Sequence, residues 1–241
     1  NHEDVVIVVD PADYGSVLED LRQDGTVSPE RRRELARKAF ASTAAYDGMI
    51  ADYLGRGEDE FGRTIHRQWE LVQPLRYGEN PHQRAALYEA RGAGLGFTVL
   101  QGKELSYTNL LDLDSAARIA LEFTEPAAAV IKHTNPCGAA IGATIEEAYV
   151  RAREADPMAA FGGIVGLNRS IDAATARALV STFIEAVVAP GVDEEARAIL
   201  ATKANMRVVA ADLAAVGLSS QREVRSILGA MLVQQRDEVL E

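Results

Sequence analysis

Cysteine, histidine and long apolar runs are scarce in this chain of 241 residues, which has one cysteine and four histidines. The single cysteine, Cys137, excludes an internal disulfide and suits a reducing cytoplasm, where we expect the protein to lie. A thiolate zinc site needs more Cys or His residues than these, so we expect no bound zinc. The sequence contains no apolar run of the length that crosses a membrane, so we expect no membrane partner.

Basic residues are outnumbered by acidic ones: 25 Lys and Arg stand against 36 Asp and Glu, giving a net charge of −11. A protein that binds a nucleic-acid backbone normally carries a basic face, so we expect no nucleic-acid partner. Neither a Walker sequence nor a Gly-x-Gly-x-x-Gly fingerprint is present, so nucleoside triphosphates and dinucleotides lack support. Residues 1–4 lack signal-peptide features, and an opening without methionine indicates a start inside a longer protein.

Strand and helix patterns alternate along most of the chain. Residues 5–9 are a β-branched run typical of a buried strand, and residues 14–21 and 28–53 have apolar residues at helical spacing. An acidic stretch at residues 58–62 is the candidate linker. Further strands are predicted at residues 85–88, 96–100, 127–131, 163–167, 186–189, 206–210 and 227–233, and further helices at 110–123, from 144, at 172–183 and at 194–202. This alternation indicates an α/β fold with a mixed sheet and flanking helices.

Residues 75–83 form the first of three loops that concentrate polar groups between Gly and Pro residues. Arg76 has the planar fork that grips a phosphate, and Tyr77 has a ring that could cover a heterocycle. A polar loop with an Asn-Pro turn explains the same residues, and their composition alone favours it.

The second loop, residues 131–138, follows an apolar strand and contains Lys132 directly beside His133. Ligand crevices of α/β sheets lie at the carboxyl ends of strands, so this position favours a functional role for the loop. The Lys ammonium would favour a neutral imidazole, which suits proton transfer. A structural turn, with a solvated Lys and a His that caps a backbone group, is the competing interpretation. We interpret Cys137 as a small packing residue, because no zinc-deaminase signature accompanies it.

The third loop, residues 156–163, places Phe161 before two glycines, Gly162 and Gly163. This order suits close approach of the backbone to a flat ligand, and it suits a tight turn equally well. Residues 101–109 are polar and similarly ambiguous. From the residues alone, the sequence predicts an α/β protein with a site for a small anionic molecule.

Taken together and in order, residues 75–83, 106–112, 132–138 and 156–163 resemble the bacterial bifunctional enzymes that join aminoimidazole carboxamide ribonucleotide (AICAR) transformylase to inosine monophosphate (IMP) cyclohydrolase. The resemblance continues through residues 187–191 to 232–237 and covers essentially the whole chain. It implies transfer of a formyl group from 10-formyltetrahydrofolate to AICAR. It also implies that residues 1–62 are the tail of the cyclohydrolase domain. Residues 63–241 would be the first half of a transformylase domain with a cytidine-deaminase-like fold lacking zinc.

The resemblance also assigns roles to particular residues. Lys132 and His133 would be the catalytic pair, with His133 taking the proton of the substrate's 5-amine. The implied substrate-binding residues are Arg76 and Tyr77 for the ribonucleotide, Phe161 and Gly162 for the aminoimidazole ring, Asn109 on the substrate side, and Glu185, which stands where some relatives have Asp.

The same resemblance implies a homodimer and an active site whose remaining parts lie in a longer chain. A competing hypothesis is a catalytically incomplete fragment that binds ribonucleotide or dimerises. A zinc deaminase of related fold is the third hypothesis, and the missing metal ligands argue against it.

Overall fold

The computed structural model of this chain describes residues 1–55, 61–213, 222–235 and 237. The described residues divide between one unit of residues 1–70 with 90–92 and a second unit of residues 71–89 with 93–241. Residues 58–60 of the predicted linker lie outside the described residues, and the domain boundary after residue 62 stays a prediction. Among the described helices, none is both long and apolar enough to cross a membrane.

Two helices with well-formed ends dominate the first unit. Helix α1 spans Tyr14–Asp24 and stops at Gly25, whose φ of 68° lies in the left-handed region that glycine favours. Helix α2 spans Pro29–Leu54, and the Arg31 N–H donates to the Ser28 hydroxyl over 3.2 Å at its start. Both predicted helices are confirmed.

The strand predicted at residues 5–9 is wrong. This segment has no strand geometry, and Val5, Ile7 and Val9 are 40%, 48% and 43% exposed. A strand needs a partner for its backbone N–H and C=O groups, and no described segment pairs with residues 5–9. β-branched composition indicates that a segment fits a sheet but not that a neighbouring strand is present.

A six-stranded mixed sheet forms the centre of the second unit. The described strands are β1 (Trp69–Leu75), β2 (Ala85–Ala90), β3 (Phe97–Gln101), β4 (Ala127–Lys132), β5 (Asn135–Ile141), β6 (Ile164–Leu167), β7 (Ala186–Ala189), β8 (Arg207–Ala211), β9 (Glu223–Ile227) and β10 (Ala230–Gln234). The central order is β3-β8-β7-β6-β4-β5, while β1 with β2 and β9 with β10 form two-stranded sheets. Strands β6, β7 and β8 are parallel, and the other central neighbours pair antiparallel.

Helices cover both faces of this sheet. They are α3 (Tyr107–Leu121), α4 (Ile145–Ala155), α5 (Pro157–Ala160), α6 (Ala173–Val180) and α7 (Glu194–Leu200), and short 3₁₀ turns span Pro11–Asp13 and Ala201–Lys203. Val130, Val165 and Val187 pack in one buried cluster with residues of α4, α6 and α7. Ile131 and Ile164, their neighbours along the strands, pack in a second cluster with α3. Successive strand residues point to opposite faces, so each strand serves both clusters. The predicted α/β class with a mixed sheet and flanking helices is confirmed.

Three hairpin features differ from the sequence predictions. The single strand predicted at residues 227–233 is wrong, because Leu228 and Gly229 have φ of 35° and 79° and turn the chain between β9 and β10. Apolar residues continue through this turn, so the hydrophobic pattern of the sequence does not reveal its position. Strand β1 was not predicted, and β5 occupies residues interpreted as a loop.

The buried amide of Asn168 connects the end of β6 to the segment before β4. The Ala127 N–H donates to its Oδ1 over 2.8 Å, and its Nδ2 donates to the carbonyls of Phe123 and Glu125 over 2.9 and 2.7 Å. We expect Asn168→Ala to lower the free energy of unfolding by about 1–3 kcal/mol, because buried partners lose their hydrogen bonds. Urea denaturation measures this. Gln23→Ala is the control, since that exposed amide makes one bond to Glu19; equal effects of the two substitutions would contradict the prediction.

Candidate active site

Apart from Arg76 and Tyr77, the predicted site residues gather at one edge of the central sheet. Ile131 of β4 pairs with Ile164 of β6, Ile164 with Ala186 of β7, and Ala186 with Arg207 of β8. Lys132 at the end of β4 therefore lies on the edge where β6, β7 and β8 begin. The carboxyl ends of β4 and of β3 lie at this edge, whereas the three parallel strands present their amino ends here.

His133 and Thr134 form the two-residue turn between β4 and β5. Lys132 pairs with Asn135 across it, and the φ angles of His133 and Thr134 are 54° and 61°. A two-residue hairpin with two positive φ angles is the type I′ pattern, for which Asn and Gly are the usual residues. Each non-glycine residue in this region costs roughly 1–3 kcal/mol, and a β-branched Thr is especially disfavoured. Strain is therefore stored at the predicted catalytic histidine.

The hydrogen bonds of this turn involve its backbone and the side chains of Thr134 and Asn135. The Thr134 N–H donates to Asp112 Oδ1 over 2.6 Å, and the side chains of Thr134 and Asn135 donate to the His133 carbonyl over 2.7 and 2.8 Å. The His133 side chain is exposed, and it caps no backbone group in the part of the chain that the structure describes. The competing interpretation of a capping histidine therefore loses its support.

Lys132 connects this turn to the Phe161–Gly162 loop. Its Nζ donates to the Phe161 carbonyl over 2.9 Å. The Phe161 side chain is 64% exposed, and its ring centroid lies 5.3 Å from that of Phe183 at an angle of 50°. Gly162 has a φ of 71°, and its N–H donates to the Phe183 carbonyl over 2.8 Å. The loop backbone therefore binds the ammonium group, and the Phe161 ring packs against the Phe183 ring.

Asn109 and Glu185 meet at the same edge. Asn109 is buried at the start of α3, where it and Ser106 form a reciprocal capping box. Its Nδ2 donates to Glu185 Oε1 over 3.2 Å, and Arg207 Nη1 donates to the same oxygen over 3.1 Å. Arg207 also donates to the Glu104 carbonyl over 3.0 Å. Protein groups therefore fix the Asn109 amide and one Glu185 oxygen, and their contacts with substrate stay a prediction.

Sequence reasoning missed Arg207 and Asp112. Arg207 begins a buried strand, and a charged residue at that position was a usable signal. Asp112 lies in a helix whose sequence also contains the exposed Asp114, so nothing in the pattern distinguishes the buried carboxylate from the exposed one.

Arg76 and Tyr77 follow β1 and contact each other. The Arg76 guanidinium lies 5.6 Å from the centroid of the Tyr77 ring, which is a cation–π arrangement, and Arg76 is exposed. The loop closes through the Gly78 N–H, which donates to the Gln83 carbonyl over 2.8 Å. Within the described ranges, no hydrogen bond or ion pair joins this loop to the edge of the central sheet where Lys132 lies.

Cys137 fits the packing interpretation. Its Sγ lies 3.3 Å from the Val130 carbonyl, and the half-buried side chain packs against the core. Burial raises the pKa of the Cys137 thiol above its usual value, which disfavours the nucleophilic thiolate. No group of three or more His, Cys, Asp or Glu residues that could hold a metal ion occurs in the described part of the chain.

A cavity of about 300 Å³ is lined by residues of β1, β2, β3 and the start of α3. Apolar side chains dominate its lining, among them Val72, Leu87, Phe97, Leu105 and Leu110. None of the predicted site residues lines this cavity.

Comparison with known proteins gives one consistent family. The family model described as AICARFT/IMPCHase bienzyme matches residues 1–241. The bifunctional purine biosynthesis protein PurH of Myxococcus xanthus (strain DK1622) is 49% identical over 250 residues, covering 99% of this chain and 49% of that protein. PurH of Bacillus subtilis (strain 168) is 46% identical over 243 residues, covering 98% of this chain and 47% of that protein.

The chain spans about half the length of the curated relatives that it matches. A solved structure, Acinetobacter baumannii RibD, form 2, aligns over 46% of this chain and 39% of that chain at 20% identity, with a TM-score of 0.33. The match over all 241 residues confirms the resemblance based on the loop motifs. This chain belongs to the AICARFT/IMPCHase bienzyme family.

Proposed function

We propose that this chain provides residues for the transfer of a formyl group from 10-formyltetrahydrofolate to AICAR, a step of de novo purine biosynthesis. The full-length enzyme would then close the purine ring of the product to give IMP. The observation that carries the proposal is the bond of 2.9 Å between Lys132 and the Phe161 carbonyl. It joins the segment with the proton-accepting histidine to the loop proposed to hold the substrate ring.

His133 acts as the general base in this proposal. The 5-amine of AICAR is weakly nucleophilic, and it loses a proton as it attacks the formyl carbon. An exposed imidazole on a turn fixed by three hydrogen bonds is suited to accept that proton. The Lys132 ammonium stands next to it and stabilises negative charge that develops at the formyl oxygen.

The other predicted residues hold the substrate. The Phe161–Gly162 loop lies against the flat aminoimidazole ring, and the Phe183 ring extends the same surface. Asn109 and Glu185 present polar groups next to it. Arg76 grips the phosphate and Tyr77 covers the ribonucleotide, which requires their loop to approach the sheet edge.

The wider organisation that we propose follows the family. Residues 1–62 form the tail of a cyclohydrolase domain, and residues 63–241 form the first half of a cytidine-deaminase-like transformylase domain. The protein works as a homodimer in the cytoplasm. Its co-substrate is 10-formyltetrahydrofolate, and the reaction uses no zinc.

A second candidate function is compatible with the coverage of about half of each relative. In that case, the chain binds ribonucleotide or dimerises without catalysing formyl transfer.

Formyl transfer by the 241-residue chain separates these candidates. AICAR and 10-formyltetrahydrofolate are supplied together and singly, and tetrahydrofolate formation is followed. Turnover that needs both substrates supports the enzyme. AICAR binding by calorimetry without turnover supports the second candidate. Absence of both turnover and binding contradicts ribonucleotide binding by this chain.

Replacing Arg76 tests the proposed phosphate contact. We expect Arg76→Ala to weaken AICAR binding by roughly 10- to 100-fold, because a charge-assisted hydrogen bond is lost. Calorimetric titration of the chain measures the affinity. Arg151→Ala is the matched control, since this exposed arginine on α4 pairs with Glu147. Equal affinity of the Arg76 variant and the unsubstituted chain would show that the phosphate lies elsewhere.

A further inference from the structure

A buried carboxylate on α3 lies against the backbone of the turn that carries His133. Asp112 is only 6% exposed, and its Oδ1 accepts the Thr134 N–H over 2.6 Å. We propose that Asp112 is a positioning residue for formyl transfer: it holds the His133–Thr134 turn in its left-handed conformation and so fixes where the imidazole stands. The inference rests on the proposed function of His133.

The turn needs an external tie because the β-branched Thr134 disfavours its positive φ. His133 and Thr134 both have positive φ, and neither is glycine or asparagine. Two of the three hydrogen bonds at the turn run from the side chains of Thr134 and Asn135 to the His133 carbonyl. Those bonds move with the turn if it relaxes. Among the described residues, the bond to Asp112 is the one that joins His133 or Thr134 itself to another element, while Lys132, just before the turn, bonds to the Phe161 carbonyl.

Helix α3 gives Asp112 a fixed position. Its start is capped by Ser106 and Asn109, and the helix packs against the central sheet. Asn109 and Asp112 are three residues apart, so they lie on the same face of the helix. That face therefore contacts Glu185 through Asn109 and the histidine turn through Asp112. A site that is supported from a rigid helix keeps its reacting groups in place.

The carboxylate can be changed in three ways that separate position from charge. Asp112→Ala removes the acceptor. Asp112→Asn keeps an acceptor at the same distance without the charge, and Asp112→Glu keeps the charge while displacing the acceptor. Asp114→Ala is the matched control. It removes a carboxylate from the same helix, and that carboxylate is exposed and pairs with Arg118.

The first measurement is hydrogen exchange of the Thr134 amide by NMR, which needs no substrate. We expect the exchange rate to rise about tenfold or more in Asp112→Ala, because the amide loses a charge-assisted bond. The same rise is expected in Asp112→Glu, and a smaller one in Asp112→Asn. If Asp112→Ala fails to fold, the comparison of the Glu and Asn variants decides the question. An unchanged Thr134 rate in the Ala or Glu variant overturns the proposal.

The second measurement is steady-state formyl transfer in the gene product that contains this sequence. We expect Asp112→Ala and Asp112→Glu to lower kcat by up to about 100-fold with KM for AICAR unchanged, since a shift near 1 Å is enough for such a loss. Asp112→Asn should restore most of the rate. Equal losses in the Asn and Ala variants would assign the effect to charge and overturn the proposal.

A glycine at position 134 provides an independent test. Glycine adopts positive φ without strain, so Thr134→Gly should recover part of the kcat lost in Asp112→Ala. No recovery would contradict the idea that Asp112 offsets strain in the turn. His133→Asn tests the proposed function separately. If that variant keeps full activity, His133 is not the base. The Thr134 exchange rate would then still show whether Asp112 holds the turn.

Discussion

Replacing His133 with alanine or asparagine is expected to lower the rate of formyl transfer by about 10²- to 10⁴-fold, the usual cost of losing a general base. AICAR affinity should change little, because in the proposed role the imidazole acts on the amine proton rather than on the ribose or phosphate. The rate is measured as tetrahydrofolate formation in the gene product that contains this sequence, and the affinity by calorimetry.

The two His133 variants separate chemistry from backbone strain. His133 has a φ of 54°, a region in which alanine is disfavoured and asparagine is tolerated. Equal losses in both variants would therefore follow from the missing imidazole, whereas a loss only in the alanine variant would indicate a distorted turn. His2→Asn is the control, since His2 is exposed and far along the chain from the site. Turnover near the normal rate in His133→Asn would refute the assignment of the base.

Gly166→Ala is expected to have a large effect on stability. Gly166 lies in β6 where α3 crosses the sheet, and a Cβ atom there would clash with the backbone carbon and oxygen of Ala116. Backbone atoms cannot move aside as a flexible side chain can, so the helix must shift away from the sheet. We expect the free energy of unfolding to fall by about 3 kcal/mol, at the upper end for overpacked cores.

Gly96→Ala is the matched control for this measurement. It lies in the same unit, and a Cβ atom there meets no heavy atom within 4 Å. We expect its effect to stay within about 1 kcal/mol, with the loss of chain entropy in the unfolded state favouring the folded one. Urea denaturation, analysed with a fixed m-value, measures the free energy of unfolding of both variants. A Gly166→Ala protein as stable as the Gly96→Ala protein would mean that α3 does not pack as described.

Local chemistry explains which elements were predictable. The start of α2 at Ser28-Pro29 and the buried runs of β4, β6 and β7 depend on residues that are close in sequence. Residues 5–9 look like a strand by the same rules, and they fail because pairing depends on a distant partner. The turn at Leu228–Gly229 was hidden because apolar residues flank it on both sides.

The same distinction between local sequence and distant contacts applies to the site. The neighbours Lys132 and His133, and the pair Phe161 and Gly162, are visible as motifs, but the bond between the two stretches spans 29 positions and needs the sheet to form. Asp112 and Arg207 gain their importance only from such tertiary contacts. Their partners lie 22 positions away in each case, at Thr134 and Glu185.

The pairing of β3 with β8 has a consequence for how the protein is made. Phe97 pairs with Ala211, so β3, the first strand of the central sheet along the chain, has no partner until β8, the last, is synthesised. As the ribosome extends the chain, β7 presents an open edge until residues 207–211 emerge. An unpaired apolar edge invites association with other nascent chains. Slow translation or arrest before residue 207 should therefore make this protein depend on chaperones.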